Sequence, residues 1–443
     1  MGDMEATLVI GAGIAGMQAA LDIADAGFKA YLVEKEPSIG GRMAQLDETF
    51  PTLDCSSCIL TPQMVSVGGH PNIELFTYSE VVEVDGSAGQ FKVKVRKKPR
   101  YIDVDKCTGC GICAENCRLK DRIDSEFNVA MGRRGAAYMP FPQAVPLKYT
   151  IDAEHCLMIQ RGKCGKSPPC RDSCTAEAID FKQAEEIVEL EVVAIIVATG
   201  FDPFDAQLKP EYGYGVYENV ITGLQFERLS SASGPTFGEI KLDERTVKDV
   251  VFIQCVGSRD RNLGNSYCSR VCCMYTAKQA HLVREKLPEA RVTVFYTDIR
   301  AFGKGFEEFY DRVREEKVLY RRGNPSEIYK RGDRLVVRAE DTLLGKPIEM
   351  EADLVVLAIG LVPREDADEV TGLLHLSRSG DGFFMESHPK LRPTETKVEG
   401  IFLAGCCQGP KDIPDAVAQA KAAASSAIVI MSQSKGKPAA GEE

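Results

Sequence analysis

Residues 6–34 read as strand, glycine turn, helix and strand: ATLVI, GAGIAG, then MQAALDIADAG ending at Gly27, then KAYLVE. This opening constrains the fold more than any other stretch. Gly11, Gly13 and Gly16 form G-x-G-x-x-G at the strand-to-helix crossing. The first glycine permits the tight turn, the second lets a pyrophosphate approach the backbone, and the third lets the helix pack on the strand. The helix N-terminus then offers free N–H groups and the positive end of its dipole to the phosphates. Glu34 ends the second strand, where its carboxylate accepts hydrogen bonds from ribose hydroxyls.

The residues after this unit separate two nucleotides. EKEPSIGGRM resembles the ExxxxxGGR stretch of the two-dinucleotide-binding-domain flavoproteins, in which the GGR turn contacts the pyrophosphate and Arg42 adds a cation. TKVEGIFLAGCCQGP resembles their late T…hFAxGD motif, with Cys406 where the acidic ribityl contact is expected. A helix starting near Pro414 points its N-terminus toward the flavin N1/C2 carbonyl. FAD is therefore favoured over NAD. The expected cofactor contacts are Gly11, Gly13, Ile14, Ala15, Gly16, Glu34, Lys35, Gly41, Arg42, Met43, Val81, Thr199, Gly200, Gly405 and Ile413.

Between strand-like 73–100 and EVVAIIVATG (191–200), periodicity disappears and cysteines crowd in, which marks an inserted module. Cys107, Cys110, Cys113 and Cys117 stand as C-x2-C-x2-C-x3-C. In two-cluster ferredoxins the fourth cysteine of such a run ligates the other cluster. Cys156, Cys164, Cys170 and Cys174 come next at irregular spacing and end C-x3-C. The crossing rule groups Cys107, Cys110, Cys113 and Cys174 around one cluster, and Cys117, Cys156, Cys164 and Cys170 around the other.

Three further groups leave alternatives open. Cys255, Cys268, Cys272 and Cys273 form C-x12-C-x3-CC, read either as cluster ligands or as buried thiols. Cys55 and Cys58, in LDCSSCIL, read as a redox dithiol or as ligands to a further cluster. Cys406 and Cys407 are ligands or thiols packed beside the flavin ring. In the middle region the strand VVFIQ leads into CVGSRD, so a thiol replaces the first glycine of a nicotinamide phosphate loop. NAD(P)H is thereby an unexpected direct donor.

Sixteen cysteines in tight groups, with no export signal, indicate a reducing compartment and metal sites, hence the cytoplasm. The net charge of −11 disfavours nucleic acid and anionic membrane as partners. No apolar run is long enough to span a bilayer. The length accommodates about two to four domains: 1–100, 184–245 and 351–443 as parts of an FAD domain, 101–183 as the ferredoxin insert, and 246–350 as a degenerate nucleotide-binding-like domain.

Several long stretches together resemble the A subunit of heterodisulfide reductase and its bacterial homologues. They include GAGIAGMQAALDIADAG, GGRMAQLDETFPTLDCSSCILTP, CTGCGICAENC, YMPFPQAVPLKY, YCSRVCCMYTAKQA and AGCCQGPKDIPDAVAQAKAAA. The resemblance implies an α/β, thioredoxin-reductase-like fold with an inserted ferredoxin domain carrying two 4Fe–4S clusters. It implies a further, non-standard 4Fe–4S cluster on Cys255, Cys268, Cys272 and Cys273, and places Lys278 near flavin N5. Set against that family, the sequence is expected to represent a short form lacking the extra N-terminal domain and the C-terminal ferredoxin. The expected role is that of an oxidoreductase subunit serving as the flavin hub, which converts two-electron to one-electron transfer and takes part in electron bifurcation or confurcation. The expected partners are heterodisulfide reductase B/C-like subunits, hydrogenase-delta-like or other electron-input proteins, and ferredoxin, around a homodimer. The alternatives are an NAD(P)H-dependent disulfide reductase using Cys55 and Cys58, and a non-bifurcating relay subunit. Arg300, Lys304 and the aromatics of IRAFGKGFEEFY line either the flavin pocket or a partner surface.

Overall fold

The computed structural model describes residues 5–241 and 247–434. Two five-stranded parallel sheets organise it. The first runs Ile401–Leu403, Ala194–Val197, Ala6–Ile10, Lys29–Glu34, Ile73–Thr77. Its strands are almost continuously apolar because helices and a second, antiparallel sheet cover its faces. The helix Ile14–Asp25 lies against the long C-terminal helix Ile413–Ser434. Both carry small residues into one core, among them Ala19, Ala20, Ala420, Ala423 and Ala427, so the two backbones approach closely.

The second parallel sheet runs Val220–Thr222, Leu354–Ile359, Asp249–Val256, Arg291–Tyr296, Leu319–Arg322. This corrects the expected limits of the middle domain. The strands Val220–Thr222 and Leu354–Ile359, with the helix Gly223–Ser230, lie outside 246–350 in sequence but belong to this unit. Parallel pairing demands crossover connections, which draw flanking strands from well before and after the central ones. An antiparallel sheet, Pro325–Arg331, Arg334–Asp341 and Lys346–Ala352, packs beside it.

The strands Gln90–Lys97 and Glu186–Val192 pair antiparallel, with Lys97 opposite Glu186. The chain thus leaves one strand for the cysteine-rich segment and returns to its neighbour beside the exit. At that neck Asp103 N–H donates to the Ala178 carbonyl at 2.7 Å, and Asp180 N–H to that of Tyr101 at 3.1 Å. Arg100, buried, bonds the Pro37 carbonyl and the Thr77 and Thr150 hydroxyls. The segment has its own small core, in which Cys107, Cys113, Cys156 and Cys170 pack with Ile102, Ile123, Ile151 and Ile179.

Candidate flavin and thiol sites

A cavity of about 1060 Å³ opens where the first sheet, the insert and the second sheet meet. Gly11, Gly13, Ile14, Ala15, Glu34, Lys35, Gly41, Arg42, Met43, Val81, Thr199, Gly200, Gly405, Ile413 and Lys278 all line it. Gly16 does not, and its position explains why: a Cβ there would fall 1.8 Å from the Gly11 carbonyl oxygen, so this glycine serves helix–strand contact. Gly11 has φ 97°, whereas at Gly13 a Cβ would meet no protein atom within 4 Å. Gly13 therefore leaves room for an incoming group, as does Gly200. These open glycines beneath a helix N-terminus fit a dinucleotide pyrophosphate.

Glu34 receives the Ala12 N–H at 2.7 Å and the Glu36 N–H at 2.9 Å. Burial raises its carboxyl, and those two N–H groups oppose the rise. Cations ring this end of the cavity. Arg42 reaches Asp202 at 3.3 Å, and burial lowers its guanidinium. Lys35 and Arg364 share Asp366, at 3.1 and 2.8 Å. Burial raises the Asp366 carboxyl, but Arg364 and Lys35 outweigh it and hold the group at about 2. At the other end the helix begins at Ile413, one residue ahead of Pro414, with Asp412 accepting the Asp415 N–H at 2.9 Å.

The insert supplies a wall that the glycine motifs do not announce. Phe127, Arg134, Tyr138 and Phe141 all line the cavity. Phe127 and Phe141 stack with centroids 4.6 Å apart, and the Arg134 guanidinium lies 4.0 Å from the Tyr138 ring. Behind Phe127 stands the fully buried Arg228, 4.8 Å from the ring, bonded to the Gln45 carbonyl and the Asn128 side chain. The one sequence signal was YMPFPQAVPLKY, whose aromatic and proline residues sit beside no cysteine.

The second unit contributes Lys278, 1% exposed, which is ion-paired with Glu227, 2% exposed. Glu227 also accepts from Gln279 Nε2 at 2.6 Å and the Asp47 N–H at 3.1 Å. Three elements thus converge on one buried carboxylate, which no spacing in the sequence foretold.

Lys278 lies on the helix Cys272–Lys286, whose first turn carries Cys272 and Cys273. Cys255 stands near the end of the strand Asp249–Val256, at a register shift, with φ 61°. It holds a left-handed backbone like that of Gly11, with a thiol where a phosphate loop would need bare backbone. Ser258 and Ser269 pin the connecting loop: Ser269 N–H donates to Ser258 Oγ at 3.0 Å, and Leu361 N–H to Ser269 Oγ at 2.9 Å. Burial raises Cys272 well above its ordinary value and Cys273 to about 11, and the charges of Cys255 and Cys268 push both the same way. All four thiols are therefore neighbours. Val271, Tyr275 and Lys278 carry the same helix region to the cavity wall.

In the insert, Cys117, Cys156, Cys164 and Cys170 line one small cavity. Burial lifts Cys170 to about 11, with Cys117, Cys156 and Cys164 adding to the rise. Burial lifts Cys113 to about 12, with Cys107 and Cys110 among its neighbours. Cys174 accepts the Ala178 N–H at 3.5 Å. Among the described residues no three His, Cys, Asp or Glu side chains close on a single metal ion.

Cys55 and Cys58 are joined in a disulfide that opens the helix Ser56–Gly69, next to the cavity-lining Asp54 and Ile59. The bonded pair is the oxidised form of a redox dithiol, and the same two sulfurs would serve a further cluster only when reduced. Cys407 is buried and bonded to the Val197 carbonyl at 3.1 Å, whereas Cys406 lines the cavity beside Lys411. Arg300, Phe302 and Lys304 lie outside the cavity lining.

Comparison with known proteins agrees with this geometry. An FAD binding domain model matches residues 6–45, and the pyridine nucleotide-disulphide oxidoreductase model matches 171–424, more than half of the chain. The chain is 57% identical over 429 residues to the iron–sulfur A 2 subunit of the CoB–CoM heterodisulfide reductase of Methanopyrus kandleri, covering 96% of this chain and 64% of that protein. It is 55% identical to the A subunit of the H(2):CoB-CoM heterodisulfide,ferredoxin reductase of Methanothermobacter thermautotrophicus, over 96% of this chain and 63% of that protein. The chain belongs to the pyridine nucleotide-disulphide oxidoreductase family. It spans less than two thirds of the length of these curated relatives. The family fold is seen in the thioredoxin reductases of Lactococcus lactis and T. acidophilum. Their TM-scores are 0.52 and 0.51, at 15% and 14% identity, over 97% of this chain and 100% and 98% of theirs. Among the described residues no helix is long and apolar enough to cross a membrane.

Proposed function

We propose that this chain is the flavin- and iron–sulfur-carrying subunit of a heterodisulfide-reductase-type complex. One observation carries the reading: where a nicotinamide phosphate loop would form, four thiols gather at the head of the helix that also brings Lys278 to the flavin cavity. FAD, when bound, supplies a group that exchanges electrons singly or in pairs, and thiolate-held clusters supply one-electron sites.

The residues divide that work. Gly13 and Gly200 leave backbone room for the pyrophosphate, and Lys35, Arg42 and Arg364 surround it with positive charge. Glu227 fixes the Lys278 ammonium at the cavity wall, where positive charge stabilises negative charge developing on the ring. Tyr138, Phe127 and Phe141 exclude water from the insert side. Cys107, Cys110, Cys113 and Cys174 hold one cluster, and Cys117, Cys156, Cys164 and Cys170 a second. Cys255, Cys268, Cys272 and Cys273 hold a third. Cytoplasmic location, a homodimeric hub, participation in bifurcation or confurcation, and docking of heterodisulfide reductase B/C-like, electron-input and ferredoxin partners belong to this proposal. The terminal substrate is handled by a partner.

Iron, sulfide and FAD counted on the anaerobically purified chain test the proposal. Three clusters per FAD are expected, and a chain whose iron is unchanged by Cys272→Ser would remove the third. The Cys55–Cys58 disulfide favours a second reading, an NAD(P)H-dependent disulfide reductase. Stopped-flow mixing with NADPH decides between them: fast flavin bleaching by the chain alone establishes the second and overturns the first.

A further inference from the structure

The loop between the strand Arg291–Tyr296 and the helix Phe306–Glu315 has an inner and an outer face. Its inner face belongs to the four-thiol group. The Asp298 carbonyl lies 3.6 Å from Cys273 Sγ, and the Arg300 backbone N–H also bonds that thiol. Asp298 is ion-paired at 2.8 Å with Arg259, which neighbours Cys255.

Its outer face alternates Arg300, Phe302 and Lys304, all exposed, with Phe302 at 60%. Arg270, two residues from Cys268, holds its guanidinium 5.1 Å from the Phe302 ring, and its own N–H donates to Cys268 Sγ at 3.3 Å. Arg270 is balanced by Asp415 at 2.7 Å. Arg300 and Lys304 form no ion pair among the described residues. Glu307 and Glu308 follow in the first turn of the next helix, so the basic face is local to 300–304. On a chain of net charge −11, Arg300 and Lys304 thus stand outside any ion pair among the described residues about an exposed aromatic ring over the thiol group, with Asp298, paired with Arg259, within electrostatic reach of Arg300. An aromatic ring with flanking cations is the composition of an interface centre, and such charges steer an oppositely charged protein.

We infer that Arg300, Phe302 and Lys304 form the docking surface for a small acidic electron-carrier protein, seated over the Cys255, Cys268, Cys272 and Cys273 group. The inference rests on the proposed function, which makes that group a cluster site, and it locates where such a partner binds.

The probe is an acidic two-cluster ferredoxin, and the readout is its dissociation constant for the whole flavin-loaded chain across a salt series. R300E with K304E is expected to weaken binding about tenfold or more at low salt and to flatten the salt dependence. F302A is expected to weaken binding with the salt slope kept. K330E with K346E, on exposed strands elsewhere, is expected to change little. Unchanged affinity and slope in R300E/K304E, or equal loss in K330E/K346E, overturns the docking surface. Iron counted on the same samples keeps the two readings apart: a fully loaded chain that does not respond to R300E/K304E sinks the docking surface alone. Absence of iron from the thiol group, with binding still lost in R300E/K304E, sinks the cluster assignment alone.

Discussion

A Cβ added at Gly11 would fall 2.5 Å from the Ala198 carbonyl oxygen on a backbone with φ 97°, whereas one added at Gly13 would touch no protein atom within 4 Å. Two glycines of one motif therefore have separable roles. Gly11→Ala is expected to destabilise the chain by about 1–3 kcal/mol, through strain and displaced backbone. Gly13→Ala is expected to keep the melting temperature of the flavin-free chain and to lose FAD affinity, because its methyl occupies the space left for the pyrophosphate. Thermal unfolding run beside flavin titration separates the two outcomes. Asp366 is the residue-scale case for pH. Its folded carboxyl is held at about 2 by Arg364 and Lys35, below the unfolded value of about 3.9. The stability it contributes is present above about pH 4 and is lost as pH falls through about 2. Asp366→Asn is expected to flatten the acid limb of the stability curve in that window, measured by denaturant titration at each pH.

The cysteine-rich insert illustrates what an element can carry. Its two ends leave and enter adjacent antiparallel strands, Gln90–Lys97 and Glu186–Val192, so its removal leaves a ready hairpin. Replacing residues 98–185 with a two-residue Asn-Gly turn is expected to preserve the parallel sheets. Arg100 and its three bonds would go with the segment, as would the wall formed by Phe127, Tyr138 and Phe141. The shortened chain is expected to fold, to bind FAD at least tenfold more weakly, and to keep only the iron of the Cys255 group. Circular dichroism, flavin titration and iron analysis check these three outcomes. A shortened chain with undiminished flavin affinity would show that the insert wall contributes nothing to the cavity.

At the scale of the molecule, Arg228 ties three bodies together. Its helix belongs to the second sheet, its guanidinium bonds the Gln45 carbonyl beside the first, and it backs Phe127 and Asn128 of the insert. Gln45 Nε2 in turn donates to the Phe127 carbonyl at 2.9 Å, and Gln225 Nε2 to that of Val129 at 3.1 Å. Arg228→Leu strands the Gln45 carbonyl and the Asn128 side-chain oxygen and is expected to cost about 2 kcal/mol or more. The loss should concentrate at the junction. Hydrogen exchange over 125–141 and 45–47 is expected to quicken, while the parallel-sheet strands keep their protection. Uniform loss of protection would instead make Arg228 an ordinary core residue.

The sequence by itself determined those features whose physics is local. The first βαβ unit, its glycine spacing, Glu34 at the strand end and the two cysteine runs are each written within a few tens of residues. Strand, helix and strand form over those first residues, with Glu34 closing the second strand. Only the tertiary structure decided which distant residues share a site. Glu227 meets Lys278 across 51 positions, Arg228 reaches Asn128 across 100, and Val220–Thr222 joins Leu354–Ile359 in one sheet. Parallel pairing and a long insertion bring such residues together through crossovers, and a contact formed that way leaves no periodicity in the chain. The same reason separates Gly16 from its neighbours: its spacing marks a nucleotide turn, while its use, at 1.8 Å from the Gly11 carbonyl, is to let a helix lie against a strand.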